Sequence, residues 1–337
     1  MLGEDDYITK IAESFKSDIE RTYKPGAMRR DAHPKTVGCL KAEFKVEPHL
    51  PEQLRVGVFK EPRTYPAYIR LSNSSTTIQA DIRRDVRGMA IKLLGVAGAK
   101  LLENESHETT QDFLVVSIPR FINQNVVDFY ELSQAVSGGR LKILRFIFNP
   151  FNSHLRVLWN AARSFKRHGN LLEVRFWSTT PYQFGSEVVK YSAKPHQAEV
   201  TRIPRNPSED YLREVMKQYL AGQDAYFDFM VQLQTDPRQM PIEDASVRWN
   251  EKASPFRKVA TIRIPAQIFD TQERMTIAEN LSFTPWHSLP EHRPLGSINR
   301  ARRVVYETIS KYRHERNSAP RREPTVGEFY AKSGQAV

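Results

Sequence analysis

The chain has 337 residues, of which 40% are hydrophobic, 26% charged and 10% aromatic; this composition is typical of a globular protein and excludes a wholly disordered, collagen-like or coiled-coil chain. The single cysteine, Cys39, excludes an intrachain disulfide framework and zinc sites made of cysteine clusters. Fifty Lys and Arg against 39 Asp and Glu give a net charge of +11, which favours an anionic partner without choosing among nucleic acid, phospholipid and small anions.

The first residues predict a helix. Apolar side chains recur at helical spacing between residues 5 and 22, with charged residues between them, so an amphipathic helix is expected to form a separate N-terminal unit, residues 1–27. The chain opens on MLGEDDY, which lacks the apolar region of a secretory signal, and no run of about 18 uncharged apolar residues follows. A cytoplasmic location, with or without membrane association, is therefore expected.

Two groups of strands are predicted on either side of a helical region. The first group is CLKAEFKVE, QLRVGVF, YPAYIRLS and VRGMAIKLLGV, and the second is LLEVRFWS, EVVKYSAKP, DFMVQLQT, ASVRWNE and KVATIRIPAQIF. The links are too short for helical crossovers, so the pairing is expected to be antiparallel. These patterns predict an α+β fold in which an antiparallel β-barrel of about eight strands, in two groups, is surrounded by helices.

The region between the two groups, residues 120–172, is predicted to be helical. Its part from 139 to 170 is basic, rich in aromatic residues and amphipathic, a composition typical of a helix in a lipid interface. The alternative is that this segment packs on the barrel or on a second subunit, with its arginines in solvent. A further helix is predicted after Ser208, and the tail, residues 317–337, is expected to be loosely ordered.

The chemistry is suggested first by a helix near the C-terminus. Glycine-rich phosphate loops, a nucleophile elbow and a His-Glu-x-x-His zinc site are absent from the sequence. In INRARRVVYETISKYRHERN, Arg302, Tyr306 and Arg313 are spaced by four and by seven residues, so they project from one face of a helix. A guanidinium one turn away favours the phenolate form of Tyr306, and an anionic tyrosinate is a known ligand of haem iron. A solvent-facing basic helix with a half-buried tyrosine is the alternative.

Several motifs, taken in order along the chain, resemble those of the haem catalase family, in its small catalase-related branch. The run of Arg30, His33, Lys35 and Gly38 is similar to the family's distal Arg-x-x-His-x-Lys-Gly segment. YPAYIRLSNSS, with Arg70 and Ser72, resembles Phe-x-x-Arg-Phe-Ser, RGMAIKL from Arg87 resembles Arg-Gly-Phe-Ala-Val-Lys-Phe, and Arg302 with Tyr306 fits the proximal Arg-x-x-x-Tyr signature. The resemblance spans residues 28–316, which are therefore expected to form one haem domain.

The resemblance implies a haem b cofactor and assigns a role to each matching residue. Tyr306 would be the proximal iron ligand, Arg302 would hydrogen-bond its oxygen, and His33 would be the distal acid-base group. Arg30, Arg87 and Arg313 would neutralise the haem propionates, Arg70 would complete the cofactor-binding set, and Phe129 would pack on the haem. The sequence departs from the family where QDFLVVSIP places Ser117 at the position of the distal asparagine, and Ala32 is smaller than the family's usual valine.

These departures favour an organic hydroperoxide, of the fatty-acid type, over hydrogen peroxide as the substrate. The expected function is a haem-dependent peroxidase, peroxygenase or isomerase of the catalase-related class with weak hydrogen peroxide dismutation. A conventional catalase and a non-enzymatic haem- or lipid-binding protein are the alternatives. The expected partners are the hydroperoxide, a membrane contacted through residues 139–170 and a second copy of the chain; nucleic acid is not expected.

Overall fold

The computed structural model describes residues 3–137 and 155–331, and the side chains of 136–158 are not described. Residues 139–154 of the predicted basic segment therefore lie outside the described residues. Seven helices are described: α1 Glu4–Thr22, α2 Val126–Ser137, α3 Leu155–Ser164, α4 Tyr211–Leu220, α5 Gln272–Asn280, α6 Ser297–Arg316 and α7 Val326–Tyr330. No helix among these is long and apolar enough to cross a bilayer.

Nine strands form one antiparallel sheet in the described part of the chain. They are β1 Thr36–Val46, β2 Thr64–Asn73, β3 Arg87–Leu94, β4 Thr110–Val116, β5 Phe176–Trp177, β6 Tyr182–Phe184, β7 Glu187–Pro195, β8 Ala225–Leu233 and β9 Arg257–Ile264. Their order is β5-β4-β3-β2-β1-β9-β8-β7-β6, and β5 pairs with β7 as well as with β4. This second pairing closes eight strands into a barrel, with β6 as an extra strand, so the predicted α+β barrel is confirmed.

Aromatic side chains fill the interior of the barrel. The ring of Phe113 lies 4.8 Å from that of Phe229 and 5.0 Å from that of Tyr191, and Phe44 lies 5.1 Å from Phe229. All four side chains are at most 1% exposed. Burial of each ring contributes about 1.5–3 kcal/mol to the stability of the fold. Because these rings fill the barrel, its interior is a packed core and the cavity described below lies outside it.

Two predicted strands are not strands in the structure. QLRVGVF forms two short 3₁₀ helices, Glu52–Leu54 and Gly57–Phe59. Gly57 has a φ of +52° and a Cβ there would lie 2.3 Å from His292 Nε2, so this stretch turns sharply over a buried imidazole instead of extending. The stretch ASVRWNE pairs with no strand among the described residues, and its Trp249 is held in the core under Lys190 Nζ, 5.0 Å from the ring centroid.

Residues 317–331, which follow α6, are packed, although the tail 317–337 was predicted to be loosely ordered; residues 332–337 lie outside the described residues. Glu323 and Phe329 are buried at 7% and 6% exposure. Glu323 forms an ion pair with the fully buried Lys92 and accepts a hydrogen bond of 2.8 Å from Thr110 Oγ1. The composition of this segment gave no sign of these contacts, because the partners lie more than 200 residues away in the chain.

Helix α1 lies along α6 and so helps to form the site. Its apolar face, which includes Ile8, Ile11 and Ile19, packs on Val305 and Ile309 of α6. The predicted amphipathic helix is therefore present, and its partner is the helix that carries Tyr306. Burial of the three isoleucines contributes roughly 1.5–3 kcal/mol each to this packing.

Candidate active site

A cavity lies between the outer face of the barrel and α6. Its volume is about 150 Å³ when only the space open to a water-sized sphere is counted, and about 970 Å³ when all space between the lining atoms, including space continuous with solvent, is counted. The wall combines residues from α1, the segment before β1, strands β2 to β4, and α6. Six of the predicted site residues line it together: Arg30, His33, Arg70, Arg302, Tyr306 and Arg313.

His33 is held in an unusual backbone conformation. Its φ is +62°, in the left-handed region, which costs a non-glycine residue about 1–3 kcal/mol. The conformation is fixed by a hydrogen bond of 2.7 Å from Arg70 Nη2 to the His33 carbonyl and by a contact of 3.0 Å between His33 Nδ1 and Ser72 Oγ. Burial, followed by the charges of Arg70, Arg302 and Arg30, lowers the pKa of His33 to about 3. The imidazole is therefore neutral at physiological pH.

Because Gly88 has no side chain, the His33 ring can occupy the space next to it. A Cβ on Gly88 would lie 2.7 Å from both Cε1 and Nδ1 of His33 and 2.9 Å from Ser72 Oγ. Ser72 and Gly88 face each other in the β2–β3 register, so the imidazole sits directly over this pair. Gly88 is a positioning residue that the sequence did not reveal, although it stands in the RGMAIKL motif.

Three guanidinium groups face one carboxylate beside the cavity. The side chains of Arg70 and Arg313 are 3% and 2% exposed, and Arg30 contacts Glu279 Oε2 at 3.4 Å. Burial lowers the pKa of all three arginines, that of Arg313 to about 9. Although burial alone would raise it, the three guanidinium charges hold the pKa of Glu279 below its usual value.

The arginine cluster fits a dianionic ligand. Arg70 Nε is buried without a hydrogen-bond partner, and three cations with a single carboxylate leave an excess of about two positive charges. A haem with two propionates would supply two carboxylates at this place. The residues present therefore fit this group on charge.

Tyr306 lines the cavity from α6, and Arg302 lies one turn before it. Arg302 Nη1 donates to Thr180 Oγ1 and to Asn299 Oδ1, both at 3.3 Å. In the described part of the chain no hydrogen bond joins Arg302 to the Tyr306 hydroxyl, whereas the resemblance implied one. Burial raises the pKa of Tyr182, and the neighbouring Arg302 charge opposes this. The Arg302 guanidinium therefore lies among several hydrogen-bond acceptors, one turn of α6 from Tyr306.

Three predicted site residues do not line the cavity. Arg87 is fully buried, and its guanidinium donates to Asn73 Oδ1 and, at 2.7 Å, to the Asp81 carbonyl, so Arg70 and not Arg87 joins Arg30 and Arg313. Ser117 Oγ accepts the Arg87 N–H at 2.9 Å. These contacts hold both side chains away from the cavity.

The aromatic side chain on the α1 side of the wall is Phe15 and not Phe129. The Phe129 ring packs edge-on against Phe15, at 6.1 Å, behind the wall. Phe15 was missed as a site residue, although its place in the apolar pattern of α1 indicated burial.

Comparison with known proteins gives matches of structure but not of sequence. No protein-family model and no curated protein matches the sequence. A fungal catalase matches 90% of the chain with a TM-score of 0.62 and 16% identity, and a bacterial catalase matches 100% with 0.64 and 17%. Catalase A from Saccharomyces cerevisiae matches 90% with 0.63 and 17% identity. The chain spans 62 to 66% of the length of these three catalases, and its fold is the catalase fold.

Proposed function

We propose that the chain is a haem-dependent enzyme that acts on organic hydroperoxides of the fatty-acid type. The observation that carries this proposal is one cavity wall that holds a neutral imidazole, a tyrosine and three arginines. The positive charges of these arginines exceed the single negative charge of the neighbouring Glu279. Bound haem would supply an iron centre able to activate an O–O bond. Tyr306 would hold the iron, and Arg30, Arg70 and Arg313 would hold the propionates.

His33 would move a proton of the hydroperoxide. Since the imidazole is neutral and its Nδ1 is occupied by Ser72 Oγ at 3.0 Å, its Nε2 is the nitrogen left to accept a proton. Arg302, one turn before Tyr306 on α6, would place a positive charge beside it. Phe15 of α1, with the residues of α6, would exclude water from this side of the cavity.

The preference for an organic substrate is supported by apolar residues on the wall. Ala32, Ala90, Leu114 and Val116 line the cavity, and no carboxamide side chain is on the described part of its wall. An apolar wall gains free energy by burying an alkyl chain, which hydrogen peroxide lacks. We therefore expect kcat/KM for a fatty-acid hydroperoxide to exceed that for hydrogen peroxide.

The absorbance spectrum of the haem-loaded protein is the first experiment. A high-spin ferric spectrum with tyrosinate ligation is expected, and Tyr306→Phe should abolish it. Tyr312→Phe is the matched control because Tyr312 lies on the same helix but bonds to Glu20 Oε1 at 2.7 Å, outside the cavity. A wild-type spectrum in Tyr306→Phe would contradict the proposed ligand.

Turnover separates this proposal from its two alternatives. A conventional catalase would evolve oxygen rapidly from hydrogen peroxide, whereas slow evolution and rapid consumption of a fatty-acid hydroperoxide are expected. A non-enzymatic carrier would show no effect of His33→Ala on peroxide consumption. Here His33→Ala should lower it by about 10²–10⁴-fold, while His107→Ala, at an exposed position, should not change it.

We also propose that the basic segment contacts an anionic membrane. In its described part, Trp159 is 51% exposed, Phe165 is 37% exposed, and Arg163 stacks on Trp159 at 3.8 Å. Residues 155–167 contain no acidic residue, so they complement an anionic surface. Binding to phosphatidylglycerol vesicles, but not to phosphatidylcholine vesicles, is expected, and Trp159→Ser should weaken it. Equal binding to both vesicles, or to neither, would contradict the contact.

A further inference from the structure

Asp31 is a carboxyl group on the wall of the cavity to which the proposed function assigns no role. It lies two residues before His33 and is 7% exposed. Its Oδ2 atom is buried without a hydrogen-bond partner. Carboxylates are rarely buried unless they are paired, so this group requires an explanation.

The neighbouring cations do not neutralise Asp31. Arg30, the preceding residue in the chain, turns its guanidinium to the end of α5, where Nη2 donates to the carbonyls of Ala278 at 2.9 Å and Leu281 at 2.6 Å. Arg30 also takes the carboxylate of Glu279 as its ionic partner. No ion pair to Asp31 exists among the described residues, so no cation in contact stabilises its ionised form, and no donor reaches its Oδ2 atom.

The groups that do face Asp31 favour its protonated form. Burial is the main cause and the negative charge of Asp18 on α1 is the second, and together they raise the pKa of Asp31 to about 7. Tyr23, just after α1, interacts electrostatically with Asp31 and has a buried hydroxyl without a hydrogen-bond partner. Asp31 is therefore a carboxylic acid, with an O–H to donate, up to neutral pH.

The pKa values of Asp31 and His33 are in the reverse of their usual order, because that of the carboxyl is the higher of the two. The same cavity wall lowers the pKa of the imidazole to about 3 and raises that of the carboxyl to about 7. Two titratable groups whose environments separate their pKa values in this way form an acid and a base at the same pH. Between pH 3 and pH 7 the His33 imidazole can accept a proton during the reaction, but at equilibrium it stays unprotonated.

We propose that Asp31 holds the exchangeable proton of the cavity and donates it to the departing oxygen of the hydroperoxide. This inference rests on the proposed function. The substrate O–H gives its proton to His33 Nε2. The O–O bond then breaks with its electron pair on the oxygen that leaves, and the Asp31 O–H bond breaks as a new O–H bond forms there; bound haem would supply the two electrons that the other oxygen lacks. The imidazolium, a stronger acid than Asp31, then returns the substrate's proton to the Asp31 carboxylate, so no net proton is gained or lost.

Infrared difference spectra of the haem-loaded protein between pH 5.5 and 8.5 test where the proton is held, and they need no turnover. The wild type should lose the carbonyl band of a protonated carboxyl with a midpoint near pH 7, and Asp31→Asn should lack this loss. Asp18→Asn is the matched control: it should keep the band and shift its midpoint to lower pH, because a neighbouring negative charge is removed. A band loss that persists in Asp31→Asn, or that is missing in the wild type, would overturn the proposal.

The pH profile of turnover tests whether the proton serves the reaction. Wild-type kcat for a fatty-acid hydroperoxide should fall as the pH rises through 7, and Asp31→Asn should be slower by about 10²-fold without that fall. An Asp31→Asn profile identical to the wild type would refute the role as donor even if the band titrates. Absence of wild-type turnover would instead contradict the proposed function, while the infrared band would still decide whether Asp31 holds the proton.

Discussion

Substitution of Gly88 by alanine tests whether the His33 imidazole is placed by its contact with β3. The added Cβ would lie 2.7 Å from two ring atoms of His33 and 2.9 Å from Ser72 Oγ. All three distances are too short for carbon contacts, so the imidazole must move and its contact with Ser72 is lost. The backbone itself accepts alanine, because Gly88 is not among the residues with a positive φ.

The size of the effect follows from these contacts. Overpacking costs about 1–3 kcal/mol and the lost hydrogen bond about 1 kcal/mol, so Gly88→Ala should lower the free energy of unfolding by roughly 2–4 kcal/mol. If His33 moves the substrate's proton, its displacement should reduce kcat/KM for an organic hydroperoxide by about 10²–10⁴-fold. Urea unfolding and steady-state kinetics on the haem-loaded protein measure the two quantities.

Two further variants make the test decisive. Gly222→Ala is the matched control, because a Cβ there meets no atom within 4 Å and stability and kcat/KM should stay unchanged. Adding Ser72→Ala to Gly88→Ala removes the contact of 2.9 Å, so part of the stability should return while the activity stays low, since Nδ1 has lost its partner. Wild-type stability and kcat/KM in Gly88→Ala would refute the idea that this close contact positions the imidazole.

Other substitutions test the buried charges. Glu323→Gln removes one carboxylate from the fully buried Lys92 and should cost about 3–5 kcal/mol in urea unfolding; a loss below 1 kcal/mol would show that the pair is dispensable. Burial opposes the charge of His287, but the carboxylates of Glu323 and Asp112 raise its pKa to about 9. This stabilisation of ~3 kcal/mol is complete below pH 6.5 and is lost as the pH rises through 9, so the wild type should lose more Tm than His287→Gln between pH 6 and 10. Arg70→Gln should speed the loss of haem to apomyoglobin, and an unchanged rate would remove Arg70 from the proposed propionate site.

The parts of the fold that were predicted correctly are those with a local pattern. The period of two in β1 to β3 and the helical spacing in α6 follow from neighbouring residues, which a single sequence displays. The turn at Gly57 follows from a contact with His292, 235 residues further on, and no local pattern shows it. Asp31 was missed for the same reason, because α1 supplies the burial and the charge that make it unusual.

Strand register decides which residues of β2, β3 and β4 reach the cavity. Ser72 pairs with Gly88, which pairs with Val116, and Arg70 pairs with Ala90. These residues all line the cavity, since side chains two residues apart in a strand share a face.

The same rule accounts for the two residues that were misplaced. Arg87 and Ser117 are each one residue out of step with the cavity face, and a displacement of one residue turns a side chain to the opposite face of the sheet. Arg87 accordingly pairs with Asn73 and donates to its side chain, away from the cavity. The predicted residue Arg70 shares the cavity face with Ser72, two residues further along β2. On β4 the same alternation puts the alkyl side chain of Val116 on the wall, where the hydroxyl of Ser117 was expected. Under the proposed function such a wall should favour an alkyl hydroperoxide over hydrogen peroxide, so Val116→Asn should move the preference toward hydrogen peroxide. A ratio of the two kcat/KM values that does not change would show that this face does not select the substrate.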